Sequence, residues 1–189
     1  MDQRRLARHR DKAQRRVHAQ GRGVVVVGGE DHLMRAVARG QAQAVAPADS
    51  SYQPTDPQIA FHLARFIEDV RGLPADGIVL RQDWLRAYDF TTDRGAAALN
   101  DYARTNDPFA NLGKLQISIE VSSVIRASPT SFRVAWIQRA YENGSLSATD
   151  RWTAILTVVI DAPRDADRLR KNPLGVYVNA INWSKELGQ

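Results

Sequence analysis

Residues 115–160 read LQISIEVSSVIRASPTSFRVAWIQRAYENGSLSATDRWTAILTVVI, and the fold turns on this stretch. Leu115, Ile117, Ile119, Val121 and Ile125 alternate with Gln116, Ser118, Glu120 and Ser122. A period of two sends every second side chain to the same side of an extended chain, so this is a strand with one buried and one wet face. Ser128-Pro129-Thr130 interrupts the run with a fixed φ flanked by hydroxyls that bond nearby backbone, which makes a turn. Phe132, Val134 and Trp136 then point one way, and Arg133 and Arg139 the other. Asn143-Gly144 supplies two neighbouring residues that tolerate positive φ, the requirement of a type I′ hairpin. In the strand over 146–160, Trp152, Ala154, Leu156, Val158 and Ile160 share a face, with Thr153, Thr157 and Val159 opposite. These strands pair antiparallel in sequence order.

Upstream, the period lengthens. Ile59, Leu63, Phe66 and Val70 recur at steps of four, three and four, one apolar stripe of a helix that starts at Asp56-Pro57 and ends at Gly72 and Pro74. A second helix over 77–88 stacks Leu80, Trp84 and Tyr88, and a third, capped by Thr92, carries Leu99 and Tyr102 and stops before Asn106-Asp107-Pro108. Downstream of the hairpins, a charged turn over 164–171 and Asn172-Pro173-Leu174-Gly175 lead into a last strand, 176–183. Helices first and a strand meander after them define an α+β domain. There is no internal repeat.

The 189 residues are 43% hydrophobic and 25% charged, enough for one ordinary domain with a core. With no cysteine, the chain has no disulfide, thiolate nucleophile or cysteine-based metal site. The four histidines, His9, His18, His32 and His62, leave no imidazole beyond position 62. Residues 1–40 hold ten Lys/Arg against four Asp/Glu, net +6, whereas the remaining sixteen and seventeen give −1. The basic balance therefore belongs to an arm. No aromatic residue is interleaved there to stack bases, so direct nucleic-acid binding is not expected. The arm's four valines, Val24 to Val27, are far short of a bilayer-spanning helix. The expected organisation is a flexible basic segment over 1–40, a linker over 41–55 and a folded domain over 56–189.

Chemistry-bearing residues are sparse. Asp83, Tyr88 and Asp89 could line a pocket for acid–base work, or Tyr88 packs by its ring while both aspartates face water. His62 lies beside Ile59 and Phe66 at helical spacing, which suits a hydrogen-bonded flank position better than a lone metal ligand. Gly21, Gly23, Gly28 and Gly29 lack the spacing and the following helix start of a dinucleotide loop. Trp84, Trp136, Trp152 and Trp183 all fall on predicted elements and are expected in the core. Arg133, Arg139 and Arg151 would form either a basic stripe on the sheet's outer face or an ordinary solvated side paired with carboxylates. Asn172-Pro173-Leu174-Gly175 combines a side chain that bonds backbone, a fixed φ and a permissive glycine. That makes a rigid turn, which either sets the path of the last strand or presents Leu174 to a partner.

The segments 56–76, 81–107, 120–136, 151–160 and 172–187 together resemble the TrbF family of conjugal transfer proteins, counterparts of the eighth VirB component of type IV secretion systems. The likeness runs from about Gln41 to Leu187. It implies a nuclear-transport-factor-two-like cone: three N-terminal helices packed on a curved antiparallel sheet of about four strands. The family's Asn-Pro-x-Gly signature is matched by Asn172, Pro173, Leu174 and Gly175. The resemblance further implies a non-enzymatic scaffold of the conjugal DNA transfer channel, a homodimer contacting other channel components, with no catalytic, cofactor or metal residues. It implies an inner-membrane protein with a periplasmic domain. The family's membrane helix has no counterpart in the arginine-rich start of this chain, a departure that reads as a frame or start-site artefact. The alternative is a small-molecule isomerase or hydrolase on the same cone-shaped fold.

Overall fold

The computed structural model describes residues 52–187 and two strands upstream, β1 (Arg35–Ala38) and β2 (Gln41–Ala44). The chain divides between Ser50 and Ser51 into two units. In the first, β1 and β2 pair antiparallel, with Arg35 opposite Ala44 and Ala38 opposite Gln41. β1 falls within the segment expected as a basic arm and β2 at the start of the one expected as a linker. The valine run and its flanking glycines lie outside the described residues.

The second unit contains α1 (Asp56–Arg71), α2 (Gly77–Asp89), α3 (Asp93–Thr105), β3 (Leu115–Ser128), β4 (Ser131–Glu142), β5 (Ser145–Ile160), α4 (Ala166–Lys171) and β6 (Val176–Lys185). The sheet order is β3-β4-β5-β6, each pair antiparallel. This is the α+β order expected from the sequence. Asn143 and Gly144 adopt φ of 49° and 79° in the β4–β5 hairpin, as its turn type requires.

The helices form where side chains satisfy their open ends. Thr55, not Asp56, precedes the first turn of α1: Gln58 Oε1 accepts from the Thr55 amide at 2.8 Å and from its hydroxyl at 3.0 Å. The Asp56 carboxylate accepts instead from Arg126 Nε on β3 at 2.9 Å, tying the start of α1 to the sheet. Asp76 accepts from the Ile78 amide at 2.7 Å and Thr92 Oγ1 from Gly95 N at 3.2 Å, which start α2 and α3. Between α1 and α2, Arg86 donates through two nitrogens to Asp69, at 2.8 and 2.6 Å. Asp69 is buried, so this fork fixes how the two helices cross.

Ile59, Leu63, Phe66 and Val70 are buried as the stripe requires, joined by Ile67 on α1 and by Leu80, Trp84 and Leu99 from the next two helices. They meet Phe132, Val134 and Trp136 of β4 and Ala154, Leu156 and Val158 of β5 in one core. Cross-strand pairing sets Trp136 opposite Trp152, Val134 opposite Ala154 and Phe132 opposite Leu156. Every strand pair in this sheet is interrupted by a register shift, the device that bends long strands.

One of these shifts corrects the strand reading. Between Val121 and Ser123 the register slips, so Val124 packs on the core and Ile125 is half exposed. One extra residue reverses the face of everything beyond it, which strict alternation could not anticipate.

Both edges of the sheet are partly occupied by connecting loops. Leu73 exchanges two backbone hydrogen bonds with Ile117 of β3, at 3.0 and 2.9 Å. At the other edge, Val178 of β6 donates to Phe90 O at 2.8 Å and accepts from Thr92 N at 3.1 Å. Each helix connection thus covers backbone groups that would otherwise invite another strand. Gly95 permits the second approach, since a Cβ there would stand 2.1 Å from Val178 O.

Candidate functional site

The Asn172–Gly175 segment is a built loop. Asn172 is buried, its side-chain amide donating to Val176 O at 2.8 Å and its Oδ1 accepting from Val176 N at 3.1 Å. One side chain thereby replaces the ladder partners that Val176 lacks at the start of β6. Gly175 has φ of +60°, and a Cβ on it would lie 2.0 Å from the Asp161 carbonyl oxygen, so both conformation and space demand glycine. Asp161 N donates to Gly175 O at 2.9 Å, clamping the loop to the end of β5. Leu174 is half-buried against the core, while Pro173 is exposed. The residue the loop offers outward is the proline.

A second constellation was not legible as a site. Arg71, the last residue of α1, is 8% exposed. Its Nη1 donates to the Tyr102 hydroxyl and its Nη2 to Gln138 Oε1, both at 2.9 Å. Four rings surround the guanidinium carbon: Trp152 at 4.2 Å, Trp183 at 5.3 Å, Tyr102 at 5.5 Å and Trp136 at 5.8 Å. Cation–π attraction and stacking hold the flat cation among them. Burial pushes its pKa below the ordinary arginine value, opposed by Tyr102. Among the described residues no carboxylate pairs with it. Arg71, Trp84, Tyr102, Gln138 and Trp152 line a cavity of about 630 Å³ between α1, α3 and the sheet. Of the four tryptophans expected in the core, Trp84 and Trp136 are buried and Trp152 and Trp183 half-buried, and Trp84 and Trp152 line this cavity.

Of the residues weighed for acid–base work, Tyr88 and Asp89 line one opening of about 480 Å³ and Asp83 lies outside it, and each is held by a partner. Asp83 receives Arg86, the Tyr88 hydroxyl donates to Asn100 Oδ1 at 2.6 Å, and Asp89 receives Lys171 at 3.1 Å. His62 is half-buried with its ring 5.2 Å from that of Phe90, and burial lowers its pKa. Nor do the arginines form a continuous stripe: Arg139 pairs with Glu120 at 2.7 Å, and Arg133 stands opposite Ile125 on one side and Ile155 on the other. Among the described residues, no three His, Asp or Glu side chains converge as metal ligands, and no helix is long and apolar enough to cross a membrane.

A bulged four-stranded antiparallel sheet carrying three helices over its core is the nuclear-transport-factor-two-like fold of type IV secretion proteins. The fold is shared with a TrwG component from Bartonella birtlesii (TM-score 0.60, 16% identity, 74% of this chain and 97% of that one). It is shared equally with VirB8 of Agrobacterium tumefaciens (TM-score 0.60, 12% identity, 74% and 99%). The model of the VirB8 protein family matches residues 30–186, and the chain belongs to that family. It is 30% identical over 128 residues to the conjugal transfer protein TrbF of Rhizobium radiobacter, a match spanning 66% of this chain and 58% of TrbF.

Proposed function

We propose that this chain is a non-enzymatic assembly component of a conjugal DNA transfer channel, acting by self-association and by contacts with other transfer proteins, at the inner membrane with residues 52–187 in the periplasm. Membership of the VirB8 family carries this reading, and the likeness to TrbF narrows it from secretion in general to conjugation. The site geometry is consistent with it. The signature loop spends its polar groups on its own rigidity and turns Pro173 outward, as a docking element would. The cavity at Arg71 holds a guanidinium, which stays protonated at any working pH and is no proton-transfer group. The isomerase or hydrolase alternative needs a poised carboxylate or tyrosine in an open pocket; Tyr88 and Asp89 share one, but the Tyr88 hydroxyl is held by Asn100 and Asp89 by Lys171, and Asp83, outside it, is held by Arg86.

The test is genetic and hydrodynamic. Deleting the gene from a conjugative donor should lower mating frequency by orders of magnitude, and the full chain supplied in trans should restore it. Sedimentation of the purified chain should show a reversible, concentration-dependent dimer. Unchanged mating together with a monomer at high concentration would refute the proposal.

A further inference from the structure

Helix α2 is apolar on two sides. Leu80, Trp84 and Ala87 face the core, the one stripe a surface helix needs. Ile78 and Leu85, seven residues apart and so on one line of the helix, are 70% and 57% exposed on another side. Beside Leu85 lies a groove of about 340 Å³ between α2 and the loop after α3, with Trp84, Tyr88, Pro108 and Phe109 among its walls. Phe109 and Leu112 of that loop are exposed as well, and Leu112 lies against Gly77 at the first turn of α2. Apolar side chains scattered singly over a surface are ordinary. Four gathered on one helix and the loop beside it mark a surface that meets another protein.

The charges at the groove identify that protein. Arg81 and Asp107 both line it, and both are exposed. Among the described residues neither belongs to an ion pair. The Asp107 carboxylate accepts from the Phe109 amide at 2.9 Å, a bond within its own turn. Nearby charges are by contrast matched inside the chain, Asp83 by Arg86 and Arg104 by Asp101. A cation and an anion left unpaired on one apolar surface make that surface complementary to itself. A two-fold axis brings Arg81 of one copy to Asp107 of the other, repeats the pair, and covers both apolar stripes. A partner carrying a single sign of charge would satisfy one of the two groups and repel the other.

We infer that the face formed by Ile78, Arg81, Leu85, Asp107, Phe109 and Leu112 is an interface to a second copy of this chain, with an apolar centre and two symmetry-related Arg81–Asp107 pairs at its rim. An apolar centre with a charged rim is the usual anatomy of a protein interface. The inference names the surface for the self-association proposed above and rests on that reading.

The experiment is sedimentation velocity of the full chain over a concentration series, with thermal midpoints measured on dilute protein. Leu85→Glu sets a charge in the apolar centre at a position exposed in the single chain. It should raise the dimer Kd by about tenfold or more and leave the dilute midpoint unchanged. Arg81→Asp and Asp107→Arg each place like charges opposite one another in a homodimer, so each alone should associate about tenfold or more weakly. Mixed in equal amounts, the two variants restore both pairs with the signs exchanged. The mixture should therefore form a heterodimer at close to native strength, a recovery that no effect within one chain can produce. Should Asp107→Arg lose the turn it shares with Phe109 and fail to fold, Leu85→Glu and Arg81→Asp carry the test by their Kd values. The inference is overturned, with self-association left standing at another face, by native-strength dimers of Leu85→Glu or Arg81→Asp, or by a mixture of folded charge variants no tighter than its components. A native chain that stays monomeric at every concentration overturns the inference and self-association together.

Discussion

His62 shows how one half-buried side chain sets a pH response. It sits on α1 with Phe61 at 5.7 Å and Phe90 at 5.2 Å between ring centroids, and burial alone lowers its pKa. A lowered value in the folded state means that the unfolded chain takes up the proton first. The neutral ring's contribution is therefore complete above about pH 6.5 and is lost as the pH falls below that value through the folded pKa. The thermal midpoint should drop on acidification from about pH 7.5 to about pH 5.5, and His62→Leu should drop less. Calorimetry of both proteins across that range checks it; parallel curves would place the pH response elsewhere. His62's place on the flank of the apolar stripe was legible because Ile59 and Phe66 bracket it at helical spacing. Arg71 was not, although it follows Ile67 by one turn on the same buried face. A stripe counted on apolar residues passes over a cation, and the aromatic rings that shelter this one come from α3, β4, β5 and β6.

The Asn172–Gly175 loop binds one element to the next, and its residues divide cleanly between building it and facing outward. Asn172→Ala leaves the Val176 amide and carbonyl without their partners in a buried place, at a cost of about 2–4 kcal/mol. Gly175→Ala adds a methyl group against the Asp161 carbonyl at positive φ and should cost about 3 kcal/mol or more. Pro173→Ala, at an exposed position, should change stability by no more than about 0.5 kcal/mol. Urea denaturation of the three variants measures this ordering; a Pro173 variant as unstable as the Asn172 one would refute the division. The turn itself was readable from its residue types, since an Asn, a Pro and a Gly each restrict backbone geometry in a known way. So was the Thr55 cap, because Thr-x-x-Gln spells a capping box, yet Asp56-Pro57 drew the reading one residue too far. The bulge after Val121 left no such mark. Val124 and Ile125 are both apolar, either could face inward, and only pairing with β4 decides between them.

At the scale of the molecule, every residue of the core cluster lies between Ile59 and Val178, inside the second unit. The secondary structure that closes that core, from α1 to β6, is likewise contained in it. Both edge strands of its sheet are partly met by connections from the same unit, through Leu73 and through Phe90 and Thr92. A fragment comprising residues 52–189 should therefore fold alone and unfold in one cooperative step. Its midpoint should fall within about 2 °C of the full chain's main transition, since loss of 1 kcal/mol moves a domain of this size by about 2–4 °C. Differential scanning calorimetry of the two proteins resolves this. A fragment that shows no sharp transition, or melts many degrees early, would mean that residues 1–51 complete the core and that the division at Ser50 does not mark an independent folding unit.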